Sequence, residues 1–288
     1  MYKFLAVAGM GGACGNQRRH GFSLLELSIV LTIIGLLIGG VVVGQTLVKQ
    51  AQLRSVLTDI DMFQSAILTF KVKYNAIPGD MTNATDFWGT NPGCAAGTVG
   101  TGTETCNGNG DSAINLGGPS QVPPREQFYA WQHLVNAELI RGAYTGVADD
   151  YATCVIGENC PAGRISPAQA YFISTAIPTP PVNWWPNSLA TAINIGVIDP
   201  ERIGASYPAW PILTPQEALG LDRKADDGKP GSGFWKTFGP KSYSLGCAVD
   251  GTTFAAIVDA EAEQDTAVYN PNSTDILCSL LIYLRTIQ

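Results

Sequence analysis

The sequence predicts an α+β protein in which a long N-terminal α-helix packs on a loop-rich globular head that ends in an antiparallel β-sheet. Three observations lead there. No proline occurs between Phe22 and Ile77, and an apolar run passes straight into a stripe of Leu53, Val56, Ile60, Phe63, Ile67, Phe70 and Tyr74 at steps of three and four. The rest of the chain carries most of the 32 glycines and all 18 prolines, so its elements must be short and joined by turns. The C-terminal part sets apolar stretches on either side of Asp250-Gly251, the strongest short-range hairpin signal in the chain.

The chain therefore divides into a segment 1–21, a helical segment 22–76 and a head 77–288, with 22–48 apolar enough for a membrane and 49–76 amphipathic. From Leu27 to Val48 there is no charged residue, which at about 1.5 Å rise per residue is enough helix to cross the hydrocarbon core of a bilayer. One acid stands near its start. Glu26 follows Gly21 by five residues and lies close to the basic cluster Arg18, Arg19 and His20. A carboxylate entering an apolar helix is costly, so Glu26 calls for a functional partner. Gly35, Gly39 and Gly40 would let helix backbones approach closely.

Basic residues, then Gly21, Phe22, Glu26 and a long apolar run, in that order, resemble the N-terminal signal of type IV pilins and type II secretion pseudopilins. The resemblance implies that a prepilin peptidase in the inner membrane cuts after Gly21 and methylates the new amine of Phe22. Segment 1–21 is then a leader left in the cytoplasm, where Lys3, Arg18 and Arg19 suit the positive-inside tendency. Glu26 would pair with the Phe22 amine of a neighbouring subunit during assembly. Physical chemistry agrees: a carboxylate and an ammonium each cost several kcal/mol to bury alone, and pairing recovers part of that while setting register. The first helix of many type IV pilins carries a proline kink, which this chain lacks.

On this resemblance the protein is a structural subunit of a type IV pilus or pilus-like filament and not an enzyme. It starts as a single-pass inner-membrane precursor and ends in the periplasm or in a cell-surface filament. Its partners are the prepilin peptidase, other pilin or pseudopilin subunits in a helical filament, and the inner-membrane assembly platform. Two alternatives keep the same signal: a type II secretion pseudopilin, and a minor tip pilin acting as an adhesin through Trp184, Trp185 and Trp210. An anchored, exported enzyme is the reading from another class. An ordinary secretory signal would need an Ala-x-Ala-like site, which Val41 to Thr46 does not offer. A plain anchor explains the apolarity but not Glu26, and a lipoprotein signal ending at Cys14 would have a short, glycine-rich core.

Charged residues make up 14% of the chain and the net charge is −7, so nothing suggests nucleic acid as a partner. The seven cysteines become six once cleavage after Gly21 removes Cys14, an even number that suits an oxidising compartment. Proximity favours Cys94 with Cys106, Cys154 with Cys160, and Cys247 with Cys278. No CxxC spacing occurs, which argues against zinc.

Along the head, Ile77-Pro78-Gly79 ends the long helix, and Asp80-Met81-Thr82 caps a short turn inside a Gly, Thr and Asn-rich stretch. Asn107, Asn109 and Asp111 place oxygens at alternate positions, as calcium loops do, although a Gly-Asn turn cluster accounts for them too. A second helix is expected from Pro124 to Tyr144, opened by Arg125 and Glu126, ended by Gly142, and carrying His133 as a packed or surface residue. Strands are expected at 168–176 and 190–198. Thr214-Pro215-Gln216-Glu217 has capping-box form and starts a helix ending near Leu221. After it comes an acidic loop whose Asp222, Asp226 and Asp227 could hold Ca2+, unless Arg223, Lys224 and Lys229 neutralise them. Ser242–Val249 and Thr252–Asp259 are expected to pair as a hairpin, with Ile276–Ile287 as a last strand.

Overall fold

The computed structural model describes residues 23–94, 102–115, 125–148, 153–175, 190–198, 208–238, 244–253, 255–257 and 263–284. The chain forms two compact units, residues 1–48 and 49–288. A long N-terminal helix followed by a mixed α+β region with an antiparallel sheet is what the structure shows. Helix α1 runs Leu24–Tyr74 and contributes to both units. In the second unit it buries Leu53, Val56, Ile60, Phe63, Ile67 and Phe70 of the stripe read from periodicity, together with Ala66, while Tyr74 is half-buried. The helix stops where Asn75 takes φ +52° and Gly79 takes φ +94°, with Asp80 N–H closing a turn on the Ile77 carbonyl.

Short helix α2 (Ala84–Trp88) follows, then a 3-10 turn at Pro92–Cys94 and α3 (Glu126–Asn136). The sequence extends α3 to Gly142, but it ends six residues earlier. Glu138 adopts φ +61°, the Leu139 N–H reaches back to the Leu134 carbonyl and the Glu138 N–H to that of Val135. That is a Schellman termination with glutamate where glycine is usual, so the expected stop signal was read at the wrong residue.

Strands β1 (Gln169–Thr175), β2 (Thr191–Val197), β3 (Trp235–Thr237) and β6 (Leu280–Tyr283) form an antiparallel sheet in the order β1-β2-β6-β3. The register sets Tyr171 opposite Ile195, Ile173 opposite Ile193, and Ile193 opposite Ile282. These side chains and Trp235 join the α1 stripe in the main core, with Phe63 edge-on to both Trp131 of α3 and Tyr171 of β1. The Tyr171 hydroxyl donates to Asp59 of α1 at 3.0 Å. The other face is covered as well: Phe172 packs with Phe128, and Ala192, Leu281 and Tyr283 pack with Phe238. Burial on both faces extends to polar side chains of these strands, such as Gln169, Ser174 and Asn194.

Helix α4 (Pro215–Ala225) opens with a complete capping box: Thr214 Oγ1 accepts from the Glu217 N–H and the Glu217 carboxylate accepts from the Thr214 N–H. It runs a turn past Leu221, so Asp222 belongs to the helix and not to a loop. The expected hairpin around Asp250-Gly251 is also corrected. Strand β4 (Ala248–Asp250) pairs with β5 (Ala267–Tyr269), and Ala256 makes only an isolated bridge to Val249. The physical reason is that Asp250 accepts hydrogen bonds from Thr252 and Thr253, curling the chain away, while Gly251 N–H bonds the Thr266 carbonyl. Disulfides join Cys94 to Cys106, Cys154 to Cys160 and Cys247 to Cys278.

Candidate functional site

Three places carry the residues singled out by sequence. The first is the start of α1. Ser23 Oγ accepts from the Glu26 N–H at 3.1 Å, and Glu26 Oε2 accepts from the Ser23 N–H at 2.8 Å, a reciprocal cap of the helix start. Gly21 and Phe22 lie outside the described residues. Along residues 24–48 the large apolar side chains are exposed, Leu24 at 88% and Leu36 at 73%. The helix has a mean hydropathy of 2.6 over its most apolar stretch, long and apolar enough to cross a membrane. A bare apolar surface of this extent demands lipid or another protein. Ser28, Thr32 and Thr46 turn their hydroxyls back onto helix carbonyls, which satisfies these donors within the helix. A Cβ added at Gly35, Gly39, Gly40 or Gly44 would meet nothing within 4 Å, so these notches are open to a neighbour.

The second place is a carboxylate group that sequence reading found only in part. Asp80, Asp111 and Glu126 have oxygens within 4.8 Å of one another. Asp80 Oδ1 accepts from the Gly110 and Asp111 N–H groups, and Oδ2 from that of Ser112. Glu126 accepts from the Asn109 and Asn115 N–H groups at 2.8 and 2.9 Å. Two buried acids from distant parts of the chain thus wrap loop 107–115 around themselves. Burial raises Asp80 above its usual range against its N–H bonds, and pushes Glu126 up to about 7. At Asp111 burial works upward but loses to hydrogen bonds from Asn115, Ala113 and Asn109, which hold it low. Of the oxygens expected from the sequence, Asn107 Oδ1 instead caps α2 by accepting the Thr85 N–H, and Asn109 is tied to Asp111. No local signal marked Asp80 or Glu126, because only the tertiary fold brings the end of α1, the start of α3 and this loop together.

The third place is Asp222, Asp226 and Asp227, which do come within 4.8 Å. Asp222 is buried, accepts from the Tyr269 hydroxyl at 2.9 Å and the Gly228 N–H at 3.1 Å, and is pushed up to about 7 by burial and then by its acidic neighbours. Asp226 accepts from the N–H groups of Phe234 and Trp235, while Asp227 accepts from Lys229 N–H and Ser232 Oγ. Both acidic groups could hold a hard cation.

His133 is fully buried. Gly79 N–H donates to its Nδ1 at 3.0 Å, so Nε2 carries the hydrogen and donates to the Cys106 carbonyl at 3.1 Å. The ring stacks on Phe70, and burial holds its pKa down at about 4. It is a packing residue joining α3, the turn after α1 and the Cys94–Cys106 loop. Of the tryptophans considered for glycan contact, Trp210 is 39% exposed and its backbone pairs with Val197, while Trp184 and Trp185 lie outside the described residues.

A family model described as the prokaryotic N-terminal methylation motif matches residues 16–42. Comparisons with curated proteins and with solved structures find no match. The motif, followed by the long apolar helix, fits a type IV pilin-like protein. It supports a pilin or pseudopilin-like precursor that is a substrate of a prepilin peptidase, is anchored in the membrane by α1 and assembles with other pilin subunits.

Proposed function

We propose that the protein is a structural subunit of a type IV pilus or pilus-like filament. The observation that supports this reading is the coincidence of the methylation motif at 16–42 with a helix whose N-terminal apolar side chains are exposed. In this reading the peptidase cuts between Gly21 and Phe22 and methylates Phe22. The helix is then extracted from the inner membrane into a filament core through an assembly platform. There Leu, Ile and Val side chains bury one another, and at about 25 cal/mol per Å² the exposed apolar surface is the dominant driving force. Glu26 Oε2 is engaged by Ser23, and the carboxylate offers further lone pairs to the methylated ammonium of a neighbour. The head decorates the filament, held by three disulfides after export. Calcium at either carboxylate group would serve stability of the head and not chemistry.

The test is the intact mass of protein recovered from cells without reduction. Residues 22–288 plus one methyl and minus six hydrogens is the expected species, since three disulfides remove two hydrogens each. Retention of residues 1–21 overturns the reading. Recovery in sheared surface fibres assigns a pilus, and recovery in the periplasm assigns a type II secretion pseudopilin. Glu26→Ala is expected to abolish fibres while leaving the head folded.

A further inference from the structure

We propose that the head carries a binding cavity for a neutral saccharide where α1 ends. The cavity has a volume of about 520 Å³, within the range of about 300–1,000 Å³ typical of ligand sites. It is lined by Lys71, Asn75, Asp80, Thr82, Asn83 and Ser112, with Tyr74 beside them.

Its walls are preformed. Asp80 draws the successive N–H groups of Gly110, Asp111 and Ser112 onto its carboxylate and so holds Ser112 at φ +67°. On the other side Asn75 is held at φ +52° by the turn that ends α1. Among the described residues three non-glycine residues have positive φ, and two of them line this one cavity. Backbone held in sparsely populated conformations concentrates at binding sites. Tyr74 is clamped by Phe70 at 4.6 Å, Phe87 at 5.3 Å and Trp88 at 5.4 Å.

The polar side chains of Asn75, Thr82, Asn83 and Ser112 are exposed and open to a ligand. Asn83 occupies the N-cap position of α2 yet makes no capping hydrogen bond, because Asn107 takes the Thr85 N–H instead. Among the described residues the side chains of Lys71, Asn75, Thr82 and Asn83 have no hydrogen-bond partner in the protein, whereas Asp80 accepts three N–H groups from loop 110–112.

The lining decides the chemistry of the occupant. Asp111 and Glu126 stand behind Asp80, which disfavours an anion, and the Lys71 ammonium disfavours a cation. An apolar ligand would leave the ammonium, amides and hydroxyls unpaired on binding, at a cost. A neutral polyol donates and accepts at every hydroxyl and matches a wall of amides, hydroxyls and one ammonium. The lining residues all belong to the 49–288 unit and none lies in the apolar stretch 24–48 that drives assembly, so failure of this proposal would leave the filament reading untouched.

The test uses the full chain in a detergent without a sugar headgroup. Methyl glycosides of glucose, galactose, mannose and N-acetylglucosamine are titrated by saturation-transfer NMR. At least one is expected to bind. Lys71→Ala and Asn83→Ala should each weaken it about tenfold, about 1.4 kcal/mol. Asn272→Ala, on an exposed turn outside the cavity, should leave binding unchanged. Lys71 and Asn83 make no side-chain hydrogen bonds in the fold, so loss of folding is not the expected effect of either change. Absence of transfer to all four saccharides overturns the proposal, as does undiminished binding by both cavity variants.

Discussion

Replacing His133 by Phe keeps a ring against Phe70 and removes both nitrogens, so it isolates what the imidazole contributes to the head. The Gly79 N–H and the Cys106 carbonyl, bonded to Nδ1 and Nε2, would lose their partners in a fully buried place. An orphaned buried polar group costs about 1–3 kcal/mol, so the two together should cost about 2–6 kcal/mol. That is a large share of the roughly 5–15 kcal/mol by which domains are stable. The imidazole leaves a second signature in pH. Its pKa is about 4 in the fold against an ordinary 6.5, because burial disfavours the charged ring. The neutral ring's contribution is therefore fully present above pH 6.5 and is lost as pH falls toward 4, since the unfolded chain binds the proton first. At about 1.36 kcal/mol per pH unit the full loss is about 3 kcal/mol, and about 2 kcal/mol of it falls between pH 6.5 and 5. Urea unfolding of the oxidised full chain in detergent, followed by tryptophan fluorescence at a series of pH values, measures both effects. The His133→Phe protein should unfold at lower urea at pH 7 and should lack this part of the acid-side slope. An identical slope in the two proteins would refute the assignment of a buried neutral imidazole, as would an NMR titration of His133 with a midpoint near 6.5.

Glu126 works in the opposite direction: its pKa is raised to about 7, so its contribution is fully present below pH 4.5 and is lost as pH rises through 7. Glu126→Gln should flatten the fall in stability between pH 5 and 8, read from the same urea series. Gly79→Ala would place a Cβ at 2.4 Å from the Glu126 carbonyl in a positive-φ conformation, and a loss above about 2 kcal/mol is expected in the melting of the full chain. Tyr171→Phe removes the hydroxyl bonded to Asp59, and a loss of about 0.5–1.5 kcal/mol in urea unfolding is expected. Replacing Cys94 and Cys106 by Ser opens a cross-link spanning 12 residues and should cost about 2–4 kcal/mol, seen as a lower melting temperature without reductant.

Three readings that depended on neighbours in sequence match what is observed. The α1 stripe from Leu53 to Phe70 is buried as its periodicity requires, and the Thr214 capping box forms with both of its hydrogen bonds. Strands β1 and β2 lie where apolar, β-branched stretches place them. The stop of α3 was misplaced because the left-handed residue is Glu138, where no glycine marks the turn. The hairpin was mispaired because a two-residue turn signal says nothing about Thr266, whose backbone and hydroxyl draw β5 to Gly251 and Asp250. The acids Asp80 and Glu126 stayed hidden because their ligands are backbone N–H groups, which carry no mark in the sequence.

The N-terminal signal and the long helix are legible in the sequence alone. The methylation motif, the charge-free run and the helical period are all written in consecutive residues, and a helix makes its hydrogen bonds between near neighbours. Where buried polar groups find partners depends on the tertiary fold. His133 reaches Gly79 and Cys106, Tyr269 reaches Asp222, and Asp80 gathers loop 110–112 across long stretches of chain. A buried polar group must be satisfied by whatever the fold brings within about 3 Å, and that distance is set by packing rather than by position in the sequence.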